Sequence, residues 1–258
     1  MFVDSHCHLN YKGLVEDHVG VLQRARSAGV STMLNISTRE SEWDDVLATA
    51  TREPDVWASV GIHPHEADAH PDVDTAKLIE RAAHPRVVGI GESGLDYFYD
   101  HSDRARQRDS FRRHIAAART TGLPLIVHTR DAEDDTASML DEEMAVGRFT
   151  GVIHCFTASA AFARIALDLG FFISISGIVT FKNAADLQAT ARDIPDDRLL
   201  IETDAPFLAP VPHRGKTGEP AFVADTARFL AALRGTTVEA LAASTTENFR
   251  RLFTKVTS

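Results

Sequence analysis

Histidines and carboxylates draw attention in this sequence because several of them follow directly on short apolar segments. The chain contains 12 histidines in 258 residues. His6 and His8 are one residue apart, and alternate residues of a β-strand point to the same face, so both imidazoles are predicted to project together. Imidazole and carboxylate groups are common ligands of divalent metal ions. The candidates for such a site are His6, His8, His63, His65, Glu92, His128, His154 and Asp204.

Eight short apolar or β-branched segments alternate with longer segments of helical periodicity. The predicted strands are 2–5, 30–37, 56–62, 87–90, 123–127, 151–156, 171–176 and 199–202. The predicted helices are 15–28, 40–51, 74–83, 104–121, 132–144, 160–169, 184–192, 222–233 and 245–253. Strands separated by helices pair in parallel through right-handed crossovers. Eight such units favour an α/β fold of one domain spanning 1–258, a TIM-type (β/α)8 barrel, over an open doubly wound sheet.

The carboxyl ends of the strands form the active face of such a barrel. Six of the eight predicted strands deliver a histidine or an acid to that face. A single histidine on a strand is explained equally well as a packed core residue with satisfied hydrogen bonds. The whole set cannot be explained as packed core residues, because four buried imidazoles and two buried carboxylates without a cation would leave unpaired charges and lone pairs. The joint pattern therefore predicts a metal centre.

The number of candidate ligands bears on the number of ions. A single catalytic ion accepts about four protein ligands and keeps one position open. Six ligands therefore predict two divalent cations. Glu92 is the expected bridge because it comes from the middle of the barrel wall and has two oxygens, and two cations about 3.5–4 Å apart would share a water.

The glycine-rich segment 89–94, GIGESG, offers a competing interpretation, since G-x-G-x-x-G after a strand is a dinucleotide-binding fingerprint. That motif opens a helix at once, whereas here the segment 95–100 precedes the next helical pattern near Arg104. We therefore favour a structural role, in which glycines let neighbouring loops approach a crowded rim.

Composition narrows the class of protein. The net charge is −10, and the sequence pI is about 5.6. This acidity argues against a large surface for duplex DNA. Cys7 and Cys155 are expected to be free, buried thiols, and neither a membrane span nor a signal peptide is recognised, so a cytoplasmic protein is expected. Cations near the predicted rim could bind an anionic substrate, namely Arg130, Lys182, His213, Arg214 and Lys216.

Several segments together resemble the TatD-type metal-dependent deoxyribonucleases, which belong to the amidohydrolase-like barrels. The matching segments are 2–10 (FVDSHCHLN), 61–65 (GIHPH), 91–97 (GESGLDY), 124–132 (PLIVHTRDA), 154–156 (HCF), 200–206 (LIETDAP), 214–216 (RGK) and 219–220 (EP). The resemblance extends to Asn248. Ser93 and Asn10 depart from the residues common in that family, without affecting a ligand position.

The resemblance implies two groups of metal ligands that share Glu92. The first cation would be held by His6, His8, Glu92 and Asp204. The second would be held by Glu92, His128 and His154. Zn²⁺, Mn²⁺ or Mg²⁺ would fill these sites. The imidazole ligands favour Zn²⁺ and Mn²⁺. Mg²⁺ is a candidate because the family is described as working with it.

The resemblance implies that the protein hydrolyses phosphodiester bonds in nucleic acid. The expected substrate is single-stranded or terminal DNA. A metal-activated water would be oriented or deprotonated by Asp204. His63, with Arg130 and Arg214, would position the phosphate. His65 and Lys182 complete the expected substrate-binding residues.

Two other classes of function stay open. One keeps the metals but hydrolyses a carbon-centred bond, as an aminoacyl-tRNA deacylase would. Many two-metal amidohydrolases bridge their ions with a carbamylated lysine, and Glu92 at that place favours the nuclease. The other class is a metal- or nucleic-acid-binding protein without turnover, which the full set of ligands makes less favoured.

Overall fold

The computed structural model describes residues 1–256, which form a single α/β domain with eight parallel strands in a nearly closed barrel. The strands lie side by side in chain order, as predicted for a TIM-type barrel. They are β1 (Phe2–Cys7), β2 (Val30–Asn35), β3 (Val56–Val60), β4 (Val87–Asp96), β5 (Leu125–Arg130), β6 (Gly151–Ile153), β7 (Phe172–Ile175) and β8 (Leu199–Ile201).

Helices connect successive strands and cover the outside of the sheet. Within residues 1–256 the α-helices are α1 (His18–Ser27), α2 (Trp43–Arg52), α3 (Thr75–Ala82), α4 (Arg104–Thr121), α5 (Glu133–Val146), α6 (Ala160–Asp168), α7 (Ala185–Asp193), α8 (Val223–Arg234) and α9 (Val238–Leu252). In this part of the chain no helix combines the length and the apolar character that crossing a bilayer requires.

The interior of the barrel is filled from one end by apolar side chains. Each strand contributes one inward residue to this cluster, and its neighbours in the strand pack outward against the helices, as the two-residue period of a strand requires. The inward residues are Val3, Leu34, Trp57, Val88, Ile126, Val152, Phe172 and Leu200. Phe249 and Leu252 of α9, with Phe253 after it, close this end. The polar residues are left at the opposite end.

The seam between β1 and β8 is closed by polar contacts beside the polar end. The Asp204 N–H donates to the His6 carbonyl at 2.9 Å, and the His8 N–H donates to the Ala205 carbonyl at 2.8 Å. The carboxylate of Asp4 accepts both the backbone N–H of Thr203 at 2.9 Å and its hydroxyl at 2.6 Å. These bonds fix Asp204 relative to the histidines of β1.

The fourth strand is longer than predicted, and this corrects the place of Glu92. The sequence suggested that the strand ends at residue 90 because glycines usually interrupt strands. Parallel pairing with β5 instead resumes after an irregularity and continues through Gly94, opposite His128, to Asp96, opposite Arg130. Glu92 therefore lies within β4.

Other predicted boundaries also need correction. The sixth strand ends at Ile153 rather than residue 156, and α9 begins at Val238 rather than residue 245. The Thr237 side chain caps α9 by accepting the Ala240 N–H, a helix-start signal that the predicted boundary did not take into account. Cys7 is buried as expected, whereas Cys155 is only partly buried because it lines the cavity described below.

His114 in α4 anchors the loop that follows β3. The Ile62 N–H donates to Nε2 of His114 at 2.9 Å, so that nitrogen must be unprotonated. The proton is then on Nδ1, which donates to the Ser110 carbonyl at 2.7 Å. Burial lowers the pKa of His114 to about 4, and the ring is neutral.

Replacing His114 with Leu leaves the buried Ile62 N–H without an acceptor. We expect the free energy of unfolding at pH 7.5 to fall by about 1–3 kcal/mol. Urea unfolding in the presence of a chelator measures the difference. An unchanged midpoint and slope would show that the bond contributes nothing.

The same two proteins test the pH dependence. Neutral His114 contributes stability that is complete above the unfolded-state pKa of 6.5 and is lost as pH falls through the folded-state pKa of about 4. The difference in unfolding free energy between wild type and H114L should therefore shrink between pH 7 and pH 4. A difference that grows on acidification would contradict this assignment.

Candidate metal centre

The polar end of the barrel holds a cavity of about 620 Å³. Residues from all eight strands or from the loops after them line it, among them His8, His63, His65, Glu92, His128, His154 and Asp204. His6 lies just beneath this lining and is fully buried. The structure therefore brings all the predicted metal ligands to one place.

The first group of side chains joins β1 to β4 and to the end of β8. Nε2 of His6 is 3.3 Å from Oε2 of Glu92, and Nε2 of His8 is 3.3 Å from Oδ1 of Asp204. The remaining distances are 3.7 Å from His6 to Asp204 and 3.9 Å from His8 to Glu92. Asp204 adopts a left-handed backbone conformation, with φ of 58°, that directs its carboxylate into this group.

The second group surrounds the other oxygen of Glu92. Oε1 is 2.8 Å from Nε2 of His154, 3.0 Å from Nδ1 of His128 and 3.4 Å from Nε2 of His63. The nitrogens of His154 and His128 are 3.4 Å from each other. Glu92 thus turns one oxygen to each group, which is the arrangement expected of a bridging carboxylate. His63, one of the candidate ligands in the sequence, also joins a possible ligand group, although the resemblance placed it in neither set of ligands.

The donor set fits divalent cations. Nε2 of His6 is buried and has no hydrogen-bond partner among the described residues, although Glu92 is 3.3 Å away. Ligand atoms about 2.1 Å from one shared cation lie roughly 3.0–3.4 Å apart. Several of the observed separations fall in or near that range. Two lone-pair-bearing atoms placed so close without a hydrogen bond are explained by a cation between them.

Electrostatics in the cavity favours the ionised form of both carboxylates, which is the form that binds metal. Burial opposes ionisation of Glu92, but electrostatic interactions with His154 and His63, together with hydrogen bonds from neighbouring imidazoles, outweigh it and hold its pKa well below the usual range. Burial is likewise outweighed at Asp204, where His8 lowers the pKa of the carboxyl group. Burial lowers the pKa of His63 to about 4, so this ring is neutral. Both acids are therefore ionised at neutral pH.

Two carboxylates that the sequence interpretation missed orient the histidines of the second group. Oδ2 of Asp96 lies 3.0 Å from Nε2 of His128 and 2.9 Å from Nε2 of His65. Oε1 of Glu202 lies 3.3 Å from Nδ1 of His154. A carboxylate on one ring nitrogen fixes the tautomer and leaves the other nitrogen free for a metal. Both acids lie within four residues of a predicted ligand, a signal that could have identified them.

The glycine-rich segment does not open a helix, because β4 runs through it, and this excludes the dinucleotide fingerprint. A Cβ at Gly61 would overlap the backbone of Gly91, and a Cβ at Gly94 would overlap the carbonyl oxygen of His128. Gly94 also has a φ of 145°. These glycines allow the strand ends to approach closely, as the structural interpretation predicted.

The predicted substrate-binding residues are only partly brought together. His63, His65 and Arg130 line the cavity. Lys182 and Arg214 are exposed and lie outside its lining. Arg214 instead packs over the ring of Phe181, with 4.1 Å from its guanidinium carbon to the ring centre.

The barrel and its clustered histidines and acids define a metal-dependent hydrolase. Residues 3–254 match the family model described as TatD related DNase, and the chain belongs to this family. It is 46% identical over 254 residues to the uncharacterized metal-dependent hydrolase YcfH of Escherichia coli K12, covering 97% of this chain and 95% of the relative. It is 37% identical over 244 residues to the 3'-5' ssDNA/RNA exonuclease TatD of Erwinia tasmaniensis, covering 92% of this chain and 94% of the relative.

A solved structure extends the likeness to three dimensions. The crystal structure of YJJV, a TatD homologue from Escherichia coli K12, superposes with a TM-score of 0.91 at 30% sequence identity. The match covers 98% of each chain. Family membership and fold thus agree with the resemblance seen in the sequence.

Replacing Asp96 with Asn removes the charge that orients His128 while keeping the size of the side chain. We expect metal affinity to fall by about 10–100-fold. Calorimetric titration with Zn²⁺ or Mn²⁺ measures it, and Asp134→Asn, an exposed change on α5, serves as the matched control. Equal metal affinities of the two variants would show that Asp96 does not support the metal centre.

Replacing Glu202 with Gln should act mainly on His154, because the Glu202 carboxylate faces Nδ1 of that ring. We expect the same order of loss, about 10–100-fold, in the affinity for one cation, with the other bound as in wild type. The matched control is Glu247→Gln, an exposed position of α9. Equal weakening of both cations would indicate a general disturbance of the barrel rather than a local effect.

Proposed function

We propose that this metal-dependent hydrolase cleaves phosphodiester bonds in single-stranded nucleic acid with two divalent cations. The observation that carries the proposal is Glu92, whose two oxygens face two separate groups of imidazole and carboxylate ligands. The relative from Erwinia tasmaniensis, a 3'-5' ssDNA/RNA exonuclease, supports the choice of substrate.

The two ligand groups share only Glu92. His6, His8, Glu92 and Asp204 would hold one cation, and Glu92, His128 and His154 would hold the other. When bound, such cations act as Lewis acids on a phosphoryl oxygen and lower the pKa of water. Zn²⁺, Mn²⁺ and Mg²⁺ are the candidates, with the imidazoles favouring the first two.

The side chains of the site have complementary roles in hydrolysis. Asp204 is ionised, and its carboxylate would orient the attacking water and accept its proton. His63 lies at the cavity wall beside Glu92, where its neutral ring would donate a hydrogen bond to a phosphate oxygen. Arg130 lines the same cavity and would neutralise the phosphate with its guanidinium.

The placement of the remaining cations limits the size of the substrate surface. Lys182 and Arg214 are exposed beyond the cavity and would contact only nucleotides further along a strand. The chain carries a net charge of −10, so its attraction for an extended polyanion is weak. A few nucleotides of a single strand or an end therefore fit better than a length of duplex.

Replacing Glu92 with Ala should abolish turnover while the fold is kept, because both ligand groups lose their shared member. The assay follows cleavage of 5'-labelled single-stranded DNA and RNA oligonucleotides with one added metal at a time. Circular dichroism checks folding, and Glu247→Gln is the control. Full activity of the Glu92→Ala protein would contradict the bridging role.

A second measurement separates the nuclease from the alternatives. Chelation should remove all cleavage, and Mn²⁺ or Zn²⁺ should restore it. Duplex DNA and aminoacylated tRNA are tested beside single strands. Faster deacylation of tRNA than cleavage of any strand would replace the nuclease by a carbon-centred hydrolase, and binding without any turnover would overturn both.

A further inference from the structure

Two exposed aromatic side chains stand at opposite sides of the cavity mouth. Tyr99 follows β4 and is 49% exposed, and Phe207 follows β8 and is also 49% exposed. Both line the cavity. Because the strands are arranged in chain order around the barrel, β4 and β8 lie across from each other, with the ligand groups between them. Two large aromatic rings that are half exposed beside a polar cavity indicate a site where a ligand with an apolar or planar surface binds.

Phe207 lies beside the first ligand group. Its ring contacts His8 and Tyr11 edge-to-face, with centroid distances of 6.2 and 6.1 Å. These contacts hold the ring upright at the rim while half of its surface stays accessible. A planar group entering above His8 would meet this surface.

On the opposite side of the cavity mouth, Tyr99 belongs to a cluster with Phe98, His101 and Arg130. Its ring meets Phe98 edge-to-face at 4.8 Å and lies parallel to His101 at 5.4 Å. The guanidinium of Arg130 lies over both aromatic rings, 4.2 Å from the centre of Phe98 and 4.7 Å from that of Tyr99. Among residues 1–256, Arg130 forms no salt bridge, so its charge is available to an anion.

We infer that Phe207 and the Tyr99–Arg130 pair bind the two nucleobases that flank the scissile phosphate of a single strand. The inference rests on the proposed function and names the groups that select its substrate. Each base stacked on an aromatic ring contributes about 1–3 kcal/mol without regard to base identity. Stacking on rings at opposite sides of the cavity holds the two bases apart, which a base-paired duplex resists.

Charge favours this occupant over a protein partner. The mouth combines aromatic faces with an unpaired guanidinium, next to ligand groups suited to cations that bind phosphate. The chain is acidic overall, so its long-range electrostatic attraction for a nucleic acid is weak. Stacking provides affinity that does not depend on a basic surface.

Single abasic nucleotides test the inference directly. For intact DNA or RNA oligonucleotides, Phe207→Ala and Tyr99→Ala should each lower kcat/KM by between about 5- and 150-fold. An abasic nucleotide on one side of the scissile bond should lower wild-type kcat/KM to the same extent. The matching alanine variant should lose nothing more on that substrate, and Phe207→Tyr should keep most of the activity. Ile165→Ala, an exposed apolar position of α6, is the control.

A fluorescence measurement gives a readout independent of turnover. Oligonucleotides carry 2-aminopurine beside the scissile position and a cleavage-resistant methylene linkage there, with Mg²⁺ present. Binding to wild type should quench 2-aminopurine, and the alanine variant on that side should lose the quenching. DNA and RNA versions show which sugar is preferred.

The outcomes separate two failures. If wild type cleaves oligonucleotides but the alanine variants match it, or lose equally on intact and abasic strands, the stacking inference is overturned and the nuclease stands. If wild type neither cleaves nor quenches, both are overturned. Quenching without cleavage supports stacking and overturns the nuclease alone.

Discussion

Glu92 carries a negative charge at a place from which water is largely excluded, and a charge so placed needs positive partners. Five imidazoles lie around its two oxygens, and Asp204 adds a second negative charge nearby. Protonated imidazoles alone would satisfy the acids but would repel one another across distances of a few ångströms. The two divalent cations proposed above would satisfy acids and imidazoles together, and most features of the polar end of the barrel are consistent with that requirement.

The barrel meets the requirement by giving rigid support to each ligand. Hydrogen bonds across the β1–β8 seam fix Asp204 beside His6. Because glycines lack a Cβ, the end of β3 can approach β4, and β4 can approach β5, without steric overlap. Asp96 and Glu202 hold histidine rings from behind, so that the nitrogens facing the cavity are free. The apolar cluster closed by α9 fills the other end and contributes no polar group to the site.

Much of this could be predicted from the sequence because strand periodicity and strand ends are local signals. The eight strands in chain order and the convergence of His6, His8, Glu92, His128, His154 and Asp204 followed from them. The continuation of β4 through its glycines could not be predicted, since it depends on pairing with β5, a tertiary contact. Asp96 and Glu202 lie close in sequence to predicted ligands, but which histidines they orient could not be predicted, because those partners are 32 and 48 residues away in the chain. The aromatic pair at the mouth likewise depends on the closure of the barrel.

Anomalous diffraction from crystals soaked in Mn²⁺ tests the central claim most directly. The account predicts two anomalous peaks, both in contact with Glu92, one also touching His6 and His8 and the other touching His128 and His154. A single peak away from Glu92, or none at this end of the barrel, would contradict it.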